Sequence, residues 1–141
     1  MAERVGITAL GARGDGIAAT AQGPLFVPFA LAGEEVSVIR EGERGRLVSV
    51  DAPAPERVTP FCPWFTRCGG CVAQHMAPDL MAEWKRSQVS AALTQAGLPG
   101  AVDGAIDAHG QGRRRITLHA RRTEGVWRIG LMAARSHDLV E

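Results

Sequence analysis

The stretch that decides the fold is Gly16-Ile-Ala-Ala-Thr-Ala-Gln-Gly-Pro-Leu-Phe-Val-Pro28, in which two short apolar runs flank a turn at Gln22-Gly23. Short apolar runs separated by Gly-containing turns are typical of antiparallel strands and not of helices. The same rhythm extends in both directions along the first 58 residues. It predicts five strands, at residues 4–10, 16–20, 24–28, 35–40 and 46–50. Five short strands of this kind favour an OB-like five-stranded antiparallel barrel.

The strand pattern stops at residues 51–56, Asp-Ala-Pro-Ala-Pro-Glu. Proline has no N–H to donate to a sheet and restricts the residue before it. We therefore predict a first domain at residues 1–58, a cysteine loop at 59–76 and an incomplete second part at 77–141. The fold class is mainly β, with an α+β second part.

The second part is predicted to contain one helix and one hairpin. Asp79 can cap a helix that runs to about Ala96 and ends at Gly97. Apolar residues then alternate with polar ones from residue 115, and Thr123-Glu124-Gly125 is a turn leading into a second strand.

The composition describes a globular protein. The chain has 141 residues, of which 45% are hydrophobic, so it can bury a core. Its apolar stretches fall short of the roughly 20 residues that cross a bilayer, and residues 1–6 lack the apolar core of a signal peptide. We expect a cytoplasmic protein that is monomeric and does not contact membranes.

Charge is distributed unevenly. Residues 1–58 carry six Arg against eight Asp or Glu, a net charge of −2, whereas residues 113–135 carry seven Arg against one Glu, a net charge of +6. A local basic block suggests a polyanion as partner, although it can also be a solvated surface. The candidate RNA contacts in this block are Arg113, Arg114, Arg115, His119 and Arg121.

Three cysteines lie within ten residues, at Cys62, Cys68 and Cys71, with Gly69-Gly70 between the last two. An odd number of closely spaced cysteines favours a metal site over a disulfide framework. The thiolates fit an iron–sulfur cluster, which usually takes four cysteines, or a zinc site that His75 completes as Cys3His. Three buried thiols without a metal are the remaining reading.

Aromatic residues surround the first of these cysteines, at Phe61, Trp64 and Phe65. They can stack on RNA bases, but aromatic residues beside a metal loop more often shield it from water. Shielding is the interpretation that we favour from the sequence.

Several motifs occur together along the chain: Gly14-Asp-Gly-Ile-Ala18, Leu25-Phe-Val-Pro28, Leu31-Ala-Gly-Glu34, Cys62-x5-Cys68-Gly-Gly-Cys71, Gln74-His75, Glu83-Trp-Lys-Arg86 with Val89, and Arg113-Arg-Arg115. In this combination the chain resembles the TRAM-domain RNA uracil-5-methyltransferases of the class that modifies ribosomal RNA. The resemblance covers nearly the whole sequence.

The resemblance implies a TRAM domain at residues 1–58 and a [4Fe-4S] cluster held by Cys62, Cys68 and Cys71, with the fourth cysteine missing from this sequence. It implies that the full-length enzyme uses S-adenosylmethionine to make 5-methyluridine. In that family a cysteine thiolate adds to uracil C6, and a carboxylate removes the C5 proton after methylation. We expect this chain to be the amino-terminal portion and to be inactive alone, because nucleophile, base and cofactor site are not present.

A second reading is a free-standing zinc-binding or cluster-binding module. Such a module contacts RNA or a protein and has no catalytic half.

Overall fold

The computed structural model of the protein describes residues 1–98, 100–107 and 115–141. The elements in chain order are β1 (Glu3–Gly6), β2 (Ala9–Leu10), β3 (Gly16–Thr20), β4 (Gly23–Val27), β5 (Glu35–Glu41), β6 (Arg44–Ala52), α1 (Pro78–Gln95), β7 (His119–Thr123), β8 (Val126–Met132) and β9 (Leu139–Val140). By their internal contacts these form two units, Met1–Thr59 with Ala73–Ala105, and Pro60–Val72 with Ile106–Glu141. We call them the barrel unit and the arginine unit.

The barrel unit contains a six-stranded sheet with the order β1-β5-β6-β4-β3-β2. The two strands at the ends of this order follow one another in the chain, so the sheet curls. Ile7 and Thr8 join them: the Ile7 N–H donates to the Glu34 carbonyl, and the Thr8 N–H donates to the Ile17 carbonyl, each at 2.8 Å. Adjacent residues thus bond to opposite ends of the sheet.

Alternating burial produces the core of this sheet. In β5, Val36 and Val38 are buried while Ser37 between them is only half-buried, as expected where successive side chains point to opposite faces. The core residues are all small or aliphatic: Ile7, Ala18, Leu25, Val27, Ala30, Val36 and Val38. Gly45 lets β6 approach them, because a Cβ there would lie 3.1 Å from a Val27 methyl group.

The barrel unit contains a buried ion pair between Glu34 and Arg57. Glu34 is fully buried, and both of its carboxylate oxygens accept from Arg57, at 2.5 and 2.8 Å. The backbone N–H groups of Leu31 and Ala54 donate to the same carboxylate. Burial acts to raise the pKa of Glu34, but these hydrogen bonds outweigh it and hold the pKa below its ordinary value.

Helix α1 packs on the barrel unit through its amino-terminal half. Leu80, Met81 and Trp84 contact a second core cluster around Leu31 and Met76. The Trp84 indole N–H donates to the Gly11 carbonyl at 3.0 Å. The carboxyl-terminal half leaves Val89 exposed.

The helix ends in a Schellman motif. Gly97 has φ of 70°, its N–H donates to the Thr94 carbonyl at 3.0 Å, and the Leu98 N–H donates to the Leu93 carbonyl at 2.9 Å. The predicted stop at Gly97 is confirmed. The predicted cap is wrong, since the N-cap is Ala77 without a side-chain hydrogen bond and Asp79 lies in the first turn.

The arginine unit contains a three-stranded sheet of order β7-β8-β9. The turn at Thr123-Glu124-Gly125 sets the hairpin register, because Thr123 pairs with Val126. Glu124 and Gly125 both have positive φ, at 52° and 84°, which is the geometry of a tight hairpin turn. The predicted hairpin is confirmed, although its first strand begins at His119 and not at residue 115.

The predicted class, mainly β with a helix, is confirmed. The five-stranded antiparallel barrel differs from the structure in two respects. The predicted strand at residues 4–10 is two strands, because the chain changes partners at Ile7 and Thr8. One pair, β4 with β6, is parallel through Phe26 and Arg44. The domain boundaries after residues 58 and 76 stay predictions. Within the described ranges, no helix is long and apolar enough to span a bilayer.

Candidate nucleic-acid interface and cysteine segment

The cysteine segment, Pro60–Val72, is a series of tight turns in the arginine unit. The Phe65 N–H donates to the Cys62 carbonyl at 3.1 Å, and the Cys68 N–H donates to the Trp64 carbonyl at 2.9 Å. Thr66 has φ of 77°, a conformation that a β-branched residue adopts only when its neighbours impose it. The backbone conformation of the segment is therefore determined by its own turns and by the backbone that it contacts.

It docks on the connection between β8 and β9. Cys68 forms an antiparallel bridge with Ala133. The Gly69 N–H donates to the Met132 carbonyl, and the Ala134 N–H donates to the Arg67 carbonyl, each at 2.9 Å. The middle of the cysteine segment is thus fixed to the sheet through its backbone.

Gly69 and Gly70 lie where the cysteine segment meets the neighbouring backbone, and the reason for glycine at Gly69 is space and not an unusual backbone angle. Neither residue has positive φ. A Cβ on Gly69 would lie 3.2 Å from both the Ala134 Cα and the Met132 carbonyl oxygen. Glycine is needed at that position for close approach to the neighbouring backbone.

The three cysteines are thiols, with Cys71 exposed and Cys62 and Cys68 half-buried. The Gly70 N–H points to the Cys68 sulfur at 3.4 Å. Across the described parts of the chain, no three His, Cys, Asp or Glu side chains are grouped so that they could hold a metal ion. The donor chemistry fits zinc or an iron–sulfur cluster, but the thiols do not form a ligand set in this arrangement.

His75, the candidate for a fourth zinc ligand, belongs to the barrel unit. It is fully buried, and its ring meets Phe29 edge-on with centroids 6.2 Å apart. Burial, and to a lesser extent the charge of Arg57, lower the pKa of His75 to about 4, although the Glu34 carboxylate acts to raise it. His75 is a neutral core residue in this structure.

The predicted RNA contacts fall in several places. Arg113 and Arg114 lie outside the described residues. Arg115 is exposed in an irregular segment before β7, while His119 and Arg121 lie on one face of β7 and are exposed. The strand thus presents two of the predicted residues together and does not include Arg115.

Arg128 is a basic residue of this face that the sequence reading did not single out. Its partner across the hairpin is Arg121. Arg121 donates to the His137 carbonyl at 2.8 Å, and Arg128 donates to a Glu141 carboxylate oxygen at 3.2 Å. The tight turn at residues 123–125 already implied this pairing, so the signal was in the register of the hairpin.

A groove of about 440 Å³ lies along this face, lined by Arg121, Thr123, Glu124, Arg128, Asp138 and Leu139. Its two arginines are matched by two carboxylates. The local charge is therefore balanced, and the groove alone is a weak anion site.

The chain is similar to known proteins along nearly its whole length. It is 44% identical to an uncharacterized RNA methyltransferase of Caulobacter vibrioides, over 95% of this chain and 33% of that protein. It is 39% identical to an uncharacterized RNA methyltransferase of Mesorhizobium japonicum, over 99% of this chain and 34% of that protein. No protein-family model matches.

A further relative has a more specific name. The 23S rRNA (uracil(1939)-C(5))-methyltransferase of Alkalilimnicola ehrlichii is 43% identical over 88 residues, which are 59% of this chain and 20% of that enzyme.

The chain is thus similar, along nearly its whole length, to the amino-terminal part of proteins that are named RNA methyltransferases. It spans about a third of the length of the curated relatives that it matches most fully. The reading as a free-standing module is not favoured, because these relatives are named as RNA methyltransferases.

Proposed function

We propose that this chain is the RNA-docking part of an S-adenosylmethionine-dependent methyltransferase that makes 5-methyluridine in ribosomal RNA. The observation that carries the proposal is the 43% identity to an enzyme named for methylating uracil C5 in 23S rRNA. The chain itself supplies no assigned nucleophile, base or cofactor site. Its role in the proposal is to bind the substrate RNA, and the chain alone is inactive.

The charge of the arginine unit supports this role. By sequence the unit carries eight Arg against four Asp or Glu, a net charge of +4. RNA binding begins with neutralisation of phosphates by Arg and Lys. Arg115, His119 and Arg121 are all exposed, and Arg113 and Arg114 add to the same basic stretch of sequence.

Cys62, Cys68 and Cys71 are the residues that would hold a [4Fe-4S] cluster, with a fourth ligand from outside this sequence. Such a cluster would supply cross-linking of the segment. In the described residues the three thiols are not grouped as a ligand set.

The function can be tested with a chimera. This chain replaces the corresponding amino-terminal region of the Alkalilimnicola ehrlichii enzyme, and methyl transfer from labelled S-adenosylmethionine to 23S rRNA is followed by nucleoside mass spectrometry. We expect 5-methyluridine from the chimera and none from this chain alone. A folded chimera that binds the cofactor yet leaves uracil C5 unmethylated would contradict the proposal.

The cysteine proposal has its own test. The chimera is reconstituted anaerobically with iron and sulfide or with zinc, and metal content and visible absorption are measured. We expect an iron–sulfur absorption band that Cys68→Ser abolishes. Stoichiometric zinc that is lost in His75→Ala, without a cluster, would replace the cluster with a Cys3His zinc site.

A further inference from the structure

The aromatic side chains of the cysteine segment face solvent. Phe61 is 88% exposed and Trp64 is 42% exposed. A side chain that shields a metal loop from water is expected to be covered, so the shielding interpretation does not describe Phe61 in this structure. Exposure of this size on a Phe costs apolar hydration and commonly marks a binding surface.

A cation lies against the same surface. The Arg67 guanidinium is centred 4.9 Å from the Trp64 ring centroid, within the range of a cation–π contact. Arg67 thus places a positive charge beside the exposed aromatic surface. Arginine next to an aromatic ring is the combination that recognises a base together with its phosphate.

The backbone under these side chains is held in place. The Trp64 carbonyl accepts from the N–H groups of both Arg67 and Cys68, at 3.1 and 2.9 Å. The Arg67 carbonyl accepts from Ala134, and Cys68 bridges to Ala133. A surface that is already ordered loses less entropy when a ligand stacks on it.

We propose that Phe61 and Trp64 are a stacking platform for unpaired bases of single-stranded RNA, with Arg67 contacting the adjacent phosphate. This inference rests on the proposed function, because it names how the substrate RNA is bound. The net charge of +4 on the arginine unit favours RNA over a protein partner. Stacking needs an unpaired base, so the platform discriminates single strands from duplexes.

The test is equilibrium binding of a fluorescein-labelled single-stranded decaadenosine to this chain, compared with the same strand annealed to decauridine. We expect Phe61→Ala and Trp64→Ala each to weaken single-strand binding about thirtyfold, the middle of the range for loss of one stacked base. Phe61→Tyr, which keeps the ring, retains the affinity. Arg67→Ala reduces the salt dependence by about 0.7 in the logarithmic slope, the loss of one phosphate contact on a single strand.

The matched control is Trp127→Ala. Trp127 is an aromatic residue of the same unit, on β8 and outside the cysteine segment, and its exposure of 64% lies between those of Trp64 and Phe61. We expect less than a twofold change. Circular dichroism and exchange of the Gly69 and Ala134 amides, which donate the hydrogen bonds that dock the segment, verify that each variant keeps the segment docked.

Three results would overturn the platform: unchanged affinity in Phe61→Ala, an equal loss in Trp127→Ala, or equal binding of the duplex. If RNA affinity is unchanged while Phe61→Ala abolishes self-association in sedimentation, the surface is a protein contact instead. The binding assay needs no catalysis, so the platform can fail while methyl transfer by the chimera succeeds. Conversely, if the chimera fails to methylate RNA while RNA binding still depends on Phe61, the platform stands and the proposed function fails.

Discussion

The barrel unit and the arginine unit differ in charge and in how they are stabilised. The barrel unit carries eight Lys or Arg against eleven Asp or Glu, a net charge of −3, and the arginine unit has a net charge of +4. The barrel unit buries a core of aliphatic side chains. In the described part of the arginine unit, the one buried residue is Gly130, and Val126, Trp127 and Ile129 are exposed.

Of the two units, the barrel unit is therefore the one with a hydrophobic core of its own. The barrel unit is stabilised by burial and by one desolvated ion pair. The arginine unit is held by backbone hydrogen bonds and leaves its apolar and basic side chains available for contact. Mutations should therefore act on stability in the first unit and on binding in the second.

The largest expected effect is from Arg57→Ala. It leaves the fully buried Glu34 carboxylate without the guanidinium that donates to both of its oxygens, and breaking a buried pair in this way costs about 3–5 kcal/mol. Urea denaturation followed by tryptophan fluorescence measures the loss in the free energy of unfolding. Arg4→Ala is the control, since Arg4 pairs with Asp51 at the surface and should cost less than about 1 kcal/mol. Equal losses would show that the Glu34 pair is not desolvated.

The second prediction is a pH dependence from His75. Its pKa is about 4 when folded against 6.5 when unfolded, so the unfolded state binds more protons between these values. Stability is full above pH 6.5 and falls as the pH decreases toward 4. The expected loss between pH 7 and pH 5 is about 2 kcal/mol. The pKa of Glu34 is also lowered, so its contribution is lost only below pH 4.5, outside this window.

Urea denaturation at pH 7, 6 and 5 measures this slope. His75→Gln should flatten it, whereas His119→Gln, on the exposed hairpin, should leave it unchanged. A wild-type slope that survives in His75→Gln would assign it to other groups.

Local turn chemistry explains how much of the fold the sequence predicted. β3 is observed at the predicted residues 16–20, and α1 ends within one residue of its prediction, although it begins two residues earlier than predicted. Both have boundaries fixed by neighbours in sequence. The break between β1 and β2 was missed, because it depends on hydrogen bonds from Ile7 and Thr8 to distant strands.

The candidate site shows the same division. The hairpin turn was readable, and with it the pairing of Arg121 with Arg128. The burial of His75 and its proximity to Arg57 were not readable, because no pattern in sequence brings these two positions together. The exposure of Phe61 also depends on how the segment docks.

The third prediction compares two tryptophans. Trp84→Phe removes the indole N–H that donates to the Gly11 carbonyl at 3.0 Å, so it should destabilise the barrel unit by about 1 kcal/mol. Trp127→Phe keeps an aromatic ring and removes no protein hydrogen bond from those described for β8. It should therefore change the free energy of unfolding by less than about 0.5 kcal/mol. Amide exchange at core residues such as Val36 and Leu25 reports the first substitution, and exchange at the β7 and β8 amides reports the second. A similar cost for the two substitutions would mean that the arginine unit contributes a packed core after all.

The smallest expected effect is at the surface ion pair of the arginine unit. Arg128 and Glu141 are 3.2 Å apart, and their side chains are 58% and 48% exposed. Solvent screens such a pair, so Glu141→Gln should cost no more than about 0.5 kcal/mol, and the cost should vanish as salt rises to about 1 M. Exchange rates of the β7 and β8 amides at low and high salt measure it. The same substitution frees Arg128 for phosphate, so single-stranded RNA should bind slightly tighter at low salt. Weaker RNA binding in Glu141→Gln would mean that the carboxylate positions Arg128 for RNA and does not compete with it.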